Sequence, residues 1–129
     1  DIKKVYSSSL LRSKQTVKLV TDKKAIILKE LDERDFGILA GLKKVNYKKN
    51  FFPKGESNYR LKNRVSKVFK KIELENKSLI VSHSRVFKTI CEILQIKTNG
   101  IKNCEIVKFK EIIKDDWKVI TINQEEFYL

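Results

Sequence analysis

No apolar run in this 129-residue sequence approaches the length of a membrane span, and no signal peptide opens it. No membrane partner is expected on that pattern. Cys91 and Cys104 lack the spacing of a metal pair, and no second histidine exists to join them, so no metal site is read. Two isolated cysteines without a secretory signal point to a reducing compartment and a cytoplasmic protein. Cys91 falls beside Ile90 and Ile93 and reads as a small core residue. Internal repeats, linkers and low-complexity segments are also missing, which leaves a single domain over residues 1–129. The first residue is Asp rather than Met, as in a processed, tagged or cropped chain.

What is present begins with a core and a charge. Hydrophobic residues make up 41%, with seven Phe and four Tyr, enough for a globular domain rather than a disordered one. The net charge is +13, from 29 Lys and Arg against 16 Asp and Glu. Such an excess first suggests nucleic acid. The distribution argues against it: lysine pairs at Lys3, Lys23, Lys43, Lys48 and Lys70 are spread along the chain without one dominant cluster. Lys, Ile and Asn enrichment is also what an AT-rich coding sequence yields. A small anionic substrate suits the same field.

The most informative stretch is Ser78–Leu94, which carries the only histidine. Leu79, Ile80 and Val81 form a short apolar run suited to a buried strand. Val86, Phe87, Ile90, Ile93 and Leu94 then follow helical spacing. His83 therefore falls at the carboxyl end of a strand, where the chain turns into a helix that Ser82 or Ser84 could cap. Open α/β sheets bind ligands at such ends, and the helix start favours an anion.

Upstream, Val5-Tyr6 signals a short strand that runs into Ser7-Ser8-Ser9. A helix follows from about Leu10 to Thr21, with Ser9 as its cap and Leu11, Val17 and Val20 as its buried face. Arg12 lies in the first turn, where a cation opposes the helix dipole unless something negative binds nearby. Ala25–Leu31 reads as the next strand, and Glu33 follows its end. Gly37 and Gly41 punctuate the turn beyond, and a basic aromatic loop runs to Gly55. Glu56-Ser57 starts a long helix over Asn58–Leu74, with Leu61, Val65, Val68, Phe69 and Ile72 on one face. Cys104–Ile113 and Trp117–Ile122 alternate around Asp115-Asp116 as an antiparallel hairpin. The order β-α-β-α-β-α-β-β specifies an α/β fold.

Four segments carry a family resemblance. Ser7–Thr16 resembles SSPLxRAxQT, with Ser9 in place of proline and Ser13 in place of alanine. Leu31–Leu42 resembles LNERHYGxLxGL. Gly55-Glu56-Ser57 with Arg64-Val65 resembles GESxxxxxxRV, and Ile80–His83 resembles the strand that delivers a pocket histidine, although Ser84 stands where glycine is usual. In this order and spacing the segments resemble the histidine phosphatase superfamily, the phosphoglycerate mutase-like proteins. The resemblance implies a three-layer α/β/α fold with a mixed, mostly parallel sheet.

It also implies phosphoryl transfer through a phosphohistidine, on a small phosphorylated substrate, with no metal and no cofactor. Arg12 and His83 match residues of the phosphate pocket, and Glu33 matches the acid that protonates the leaving oxygen. Ser8, Ser84, Arg34 and Lys44 match substrate contacts. The Arg-His-Gly strand that carries the family's nucleophile is missing. It belongs to a longer protein, is supplied by a partner such as a second copy, or has been lost from a decayed gene product. Its absence predicts a gap in the sheet between the His83 strand and the hairpin. Phe36 replaces the mutase tyrosine, and only Lys43–Lys54 separates the Gly-Leu pair from Gly55, too short for a substrate cover. That openness to water favours hydrolysis over mutase-type transfer. A phosphate-binding module without turnover is the alternative.

Overall fold

The computed structural model describes residues 2–42, 52–72 and 77–122. Its elements run β1 (Lys4–Ser7), α1 (Leu11–Val20), β2 (Ile26–Ile27), α2 (Asn58–Lys71), β3 (Ser78–Val81), α3 (Ser84–Ile93), β4 (Ile106–Ile113) and β5 (Asp116–Ile122). This is the α/β order expected from the sequence. Strands β2, β1 and β3 form a parallel sheet in that spatial order, with Tyr6 opposite both Ile26 and Ile80. β4 and β5 form a separate antiparallel hairpin, paired from Ile106↔Ile122 to Ile113↔Asp116. Among the described residues no backbone ladder joins the two sheets, so β3 is a sheet edge. The hairpin meets the rest of the fold through packing instead. Phe109 sits on Phe87 of α3, with ring centroids 5.8 Å apart.

Alternation along β1 sends its side chains to two faces. Tyr6 joins Leu31, Leu61, Val65, Val68, Ile72, Val86 and Ile90 in one buried cluster, which α2 and α3 cover together. Val5, exposed by only 1%, lies outside that cluster, on the face where α1 buries Val17. The long amphipathic helix forms as its spacing requires. Ser57 caps it by accepting the Arg60 N–H at 3.2 Å, and Lys70 and Lys71 complement the dipole at its end.

Two elements differ from the sequence reading. The second strand is two residues long, because the chain leaves the sheet after Leu28 donates to the Ser7 carbonyl at 2.9 Å. It then tightens into a 3₁₀ turn over Lys29–Leu31, which drops Leu31 fully into the core. In α1 the buried pair is Ser13 and Val17, one helical turn apart, while Leu11 is 68% and Val20 39% exposed. Ser9 does not cap this helix. Leu10 occupies the cap position without a side-chain bond, and Ser9 is engaged elsewhere.

Leu31 connects the strand ends to the core, and its truncation leaves a cavity there. Leu31→Ala is expected to cost about 2–5 kcal/mol in urea unfolding, against roughly 0.5 kcal/mol or less for the exposed Leu11→Ala. Equal losses at both positions would contradict this packing.

Candidate functional site

The parallel pairing of β1 and β3 ends both strands at one edge of the sheet, Ser7 opposite Val81. Ser8 continues the ladder, its N–H donating to the Val81 carbonyl at 3.0 Å. Its side chain then turns to His83, Oγ to Nε2 at 2.8 Å. Ser13, from the first turn of α1, brings its Oγ within 3.1 Å of Ser8 Oγ and 3.3 Å of the same imidazole nitrogen. Both serines are buried.

His83 is the cap residue of α3 in extended conformation, so the helix begins at Ser84 directly beside the imidazole. Ser84 is exposed at that helix start, among the N–H groups that no intrahelical carbonyl satisfies. Ser82 does not cap the helix; its hydroxyl donates to the Leu31 carbonyl at 2.6 Å and locks the strand end onto the turn before Glu33.

The electrostatics of this corner are positive. Burial pushes the His83 pKa down to about 4, and the neighbouring Arg12 and Arg64 cations act in the same direction, partly opposed by Asp32. The imidazole is therefore neutral at physiological pH. Arg12 is exposed, and its guanidinium has no hydrogen-bond or ion-pair partner among the described residues. An exposed arginine beside an open helix start is the arrangement that accepts an anion.

Asp32, which the sequence reading passes over, organises the turn. Its carboxylate oxygens accept the Ser9 N–H and the Ser9 hydroxyl, both at 2.6 Å. Serine in place of proline thus ties the β1–α1 turn to the turn that carries Glu33. Arg64 of α2 and Glu56, just before that helix, support the same segment. The carboxylate receives Arg64 Nε at 2.6 Å and Nη2 at 2.9 Å, while the guanidinium also donates to the Glu30 carbonyl at 2.7 Å and the Glu33 carbonyl at 3.3 Å.

The remaining site residues separate. Glu33 accepts its neighbour Arg34's N–H at 2.9 Å and lines an adjacent open cleft of about 670 Å³, whose walls include Glu30, Asp32, Asp35 and Glu56. Neither Arg12 nor His83 lines it. Lys29, Lys54, Arg60 and Arg64 line the same cleft, so its walls carry both signs of charge. Arg34, matched by resemblance to a substrate contact, is only 3% exposed. Its guanidinium donates to the Glu56 carbonyl at 3.0 Å and to Asn58 Oδ1 at 2.8 Å, and stacks 4.3 Å over the Phe52 ring. It holds the loop before α2. Lys44 lies outside the described residues.

Gly37 shows why this loop fits. Its φ is +56°, and the Pro53 carbonyl and the Gly55 N–H occupy the place of a Cβ. Cys91 is a buried core thiol whose pKa burial raises to about 11, and Cys104 is exposed and free. Among the described residues no three His, Cys, Asp or Glu side chains converge as metal ligands. No helix in that set is long and apolar enough to cross a membrane.

A parallel sheet whose strand ends bring an arginine and a histidine to two helix starts places the chain among open-sheet α/β proteins. The chain belongs to the histidine phosphatase superfamily, branch 1, whose family model matches residues 1–125. By sequence, no curated protein matches it. Among solved structures it is similar to TTHB049 from Thermus thermophilus, at 21% identity and a TM-score of 0.70 over 81% of this chain and 66% of that one. An α-ribazole-5′-P phosphatase candidate from Escherichia coli K-12 gives 17% identity and a TM-score of 0.71, over 96% and 74% of the two chains. Rv3214 from Mycobacterium tuberculosis gives 19% identity and 0.65, over 91% and 69%. The chain thus spans just under two thirds of the length of the Thermus protein.

The lowered His83 pKa has a consequence for stability. The unfolded chain takes up a proton near pH 6.5 and the folded chain only near 4, so stability is greatest above 6.5 and declines as pH falls between these values. The urea midpoint of the wild type is expected to drop across this window more steeply than that of His83→Asn. Parallel pH profiles for the two proteins would show that His83 is not held neutral.

Proposed function

We propose that the chain supplies the phosphate pocket of a metal-independent phosphatase acting on small phosphomonoesters through a phosphohistidine in the complete protein. The observation that carries this reading is the uncommitted Arg12 beside the neutral His83 and the start of α3. A guanidinium offers parallel donors to phosphoryl oxygens, and fixed donors at a strand end stabilise charge that develops in transfer. Glu33 would reach the leaving oxygen from the neighbouring cleft as the proton donor. Superfamily membership and the E. coli structural neighbour support the hydrolytic reading, as does the length of the Lys43–Lys54 segment, which is short for a substrate cover.

His83 is the sole histidine of the 129 residues. The nucleophile of a phosphohistidine mechanism therefore comes from residues outside this sequence or from a partner. Without it, the same pocket binds phosphate and turns nothing over. That second reading is carried by the histidine count alone.

Binding separates pocket from no pocket, and turnover separates enzyme from module. Inorganic phosphate or vanadate is expected to bind the chain, and Arg12→Ala to weaken binding about tenfold or more, as loss of a charged hydrogen bond of about 1.5–3 kcal/mol requires. Calorimetric titration at neutral pH measures this. Identical phosphate affinity in wild type and Arg12→Ala would remove Arg12 from the pocket. Hydrolysis of p-nitrophenyl phosphate by a form that also contains an Arg-His-Gly strand, abolished by His83→Ala, would select the enzyme over the module.

A further inference from the structure

The imidazole of His83 meets two hydroxyls at a single nitrogen, a surplus of hydrogen-bonding groups that the pocket assignment does not use. Ser8 Oγ is 2.8 Å and Ser13 Oγ 3.3 Å from Nε2, and the hydroxyls are 3.1 Å from each other. Ser8 Oγ also accepts the Leu10 N–H at 3.2 Å. Ser8 is fully buried and Ser13 is 3% exposed, so each hydroxyl hydrogen needs a protein acceptor. Ser13 Oγ has no other partner among the described residues, and no buried side-chain oxygen or nitrogen in that set is left unsatisfied.

Counting donors decides between the two neutral forms of the ring. If Nε2 carried the proton, it would donate to Ser8 Oγ. Ser8 would then donate to Ser13, and the Ser13 hydrogen would be stranded in the interior. If Nδ1 carries the proton, Ser8 donates to Nε2 and Ser13 donates to Ser8, or to Nε2 directly. Every hydrogen is then placed. Free imidazole side chains favour the opposite tautomer in water, so the preference has to come from these hydroxyls.

We infer that Ser8 and Ser13 are positioning residues that jointly hold His83 as the Nδ1–H tautomer, with Nε2 as an acceptor closed off by two hydroxyls. Nδ1–H is then the one donor the resting imidazole has for an anion. Two hydroxyls for one nitrogen make the device redundant, since either serine alone still supplies a donor. The charged groups around the ring are Arg12 from α1, Asp32 from the turn after Leu31 and Arg64 from α2. Asp32 is engaged by Ser9, and among the described residues the hydroxyls of Ser8 and Ser13 are the direct partners of Nε2. Ser13 stands where the family pattern has alanine, so the second hydroxyl is a property of this sequence.

The chain's one histidine makes the test clean, because a long-range ¹H–¹⁵N spectrum of the 129-residue protein contains a single imidazole. At neutral pH the wild type is expected to show a protonated Nδ1 and an unprotonated Nε2. Ser8→Ala and Ser13→Ala should each keep that pattern. The double variant Ser8→Ala/Ser13→Ala should lose it, with the Nε2–H form rising to at least half of the population. A wild type in the Nε2–H form, or a double variant that stays Nδ1–H, would overturn the inference. The wild-type spectrum decides on its own should the double variant fail to fold. No ligand is needed, so a failure to bind inorganic phosphate would count against the proposed function and leave this assignment to the spectrum.

Discussion

The structure depends on the parallel pairing of two four-residue strands that lie more than seventy residues apart in the chain. β1 and β3 run side by side from Lys4↔Ser78 to Ser7↔Val81, and the Ser8 N–H extends the ladder by one more bond. Because the strands are parallel and in register, both leave the sheet at the same edge, and each is followed within a few residues by a helix. The unsatisfied N–H groups of two helix starts, Arg12 and His83 are thereby gathered without any dedicated loop. A shift of one residue in that register would send His83 to the opposite side of the sheet.

Around this pairing the chain spends much of its polar chemistry on fixing turns. Asp32 holds Ser9, Ser82 holds the Leu31 carbonyl, and Arg64 holds the Glu30 and Glu33 carbonyls while paired to Glu56. Apart from the local Arg64–Glu56 pair, each bond joins segments distant in sequence and binds them around the same corner. The effect is a rigid frame in which Arg12 is left uncommitted. In a chain with a net charge of +13, its distinction lies in place rather than in sign.

The legible parts of the sequence are those governed by local periodicity. α2 and α3 follow from apolar spacing near 3.6, and the terminal hairpin from alternation around Asp115-Asp116. The second strand is not legible as such, because its apolar run is divided between two paired residues and a 3₁₀ turn, a choice made by the core site for Leu31. The face of α1 escapes the pattern for a related reason. Its buried partner to Val17 is a serine, which no hydrophobic pattern marks, and which is buried because its hydroxyl finds Ser8 and His83. Arg12 and His83 can be placed from strand ends alone. Asp32 and Ser13 cannot, since their partners lie 23 and 70 residues away. Arg34 looks like a ligand group by motif, and its position is set by burial against Phe52 and the carbonyl of Glu56.

Gly37 and Gly55 stand back to back, each filling the space a side chain would need on the other, with the Glu56 N–H bonded to the Asp35 carbonyl and the Ile38 N–H to the Pro53 carbonyl. They form a neck that closes the intervening chain into a loop. A closed loop transmits little of its own length to its base, and lengthening it costs only slowly growing entropy. The neck therefore makes the region between Ile38 and Phe52 a natural place for insertion. Added chain can be accommodated between these two points while the geometry at Glu33 and Glu56 stays as it is.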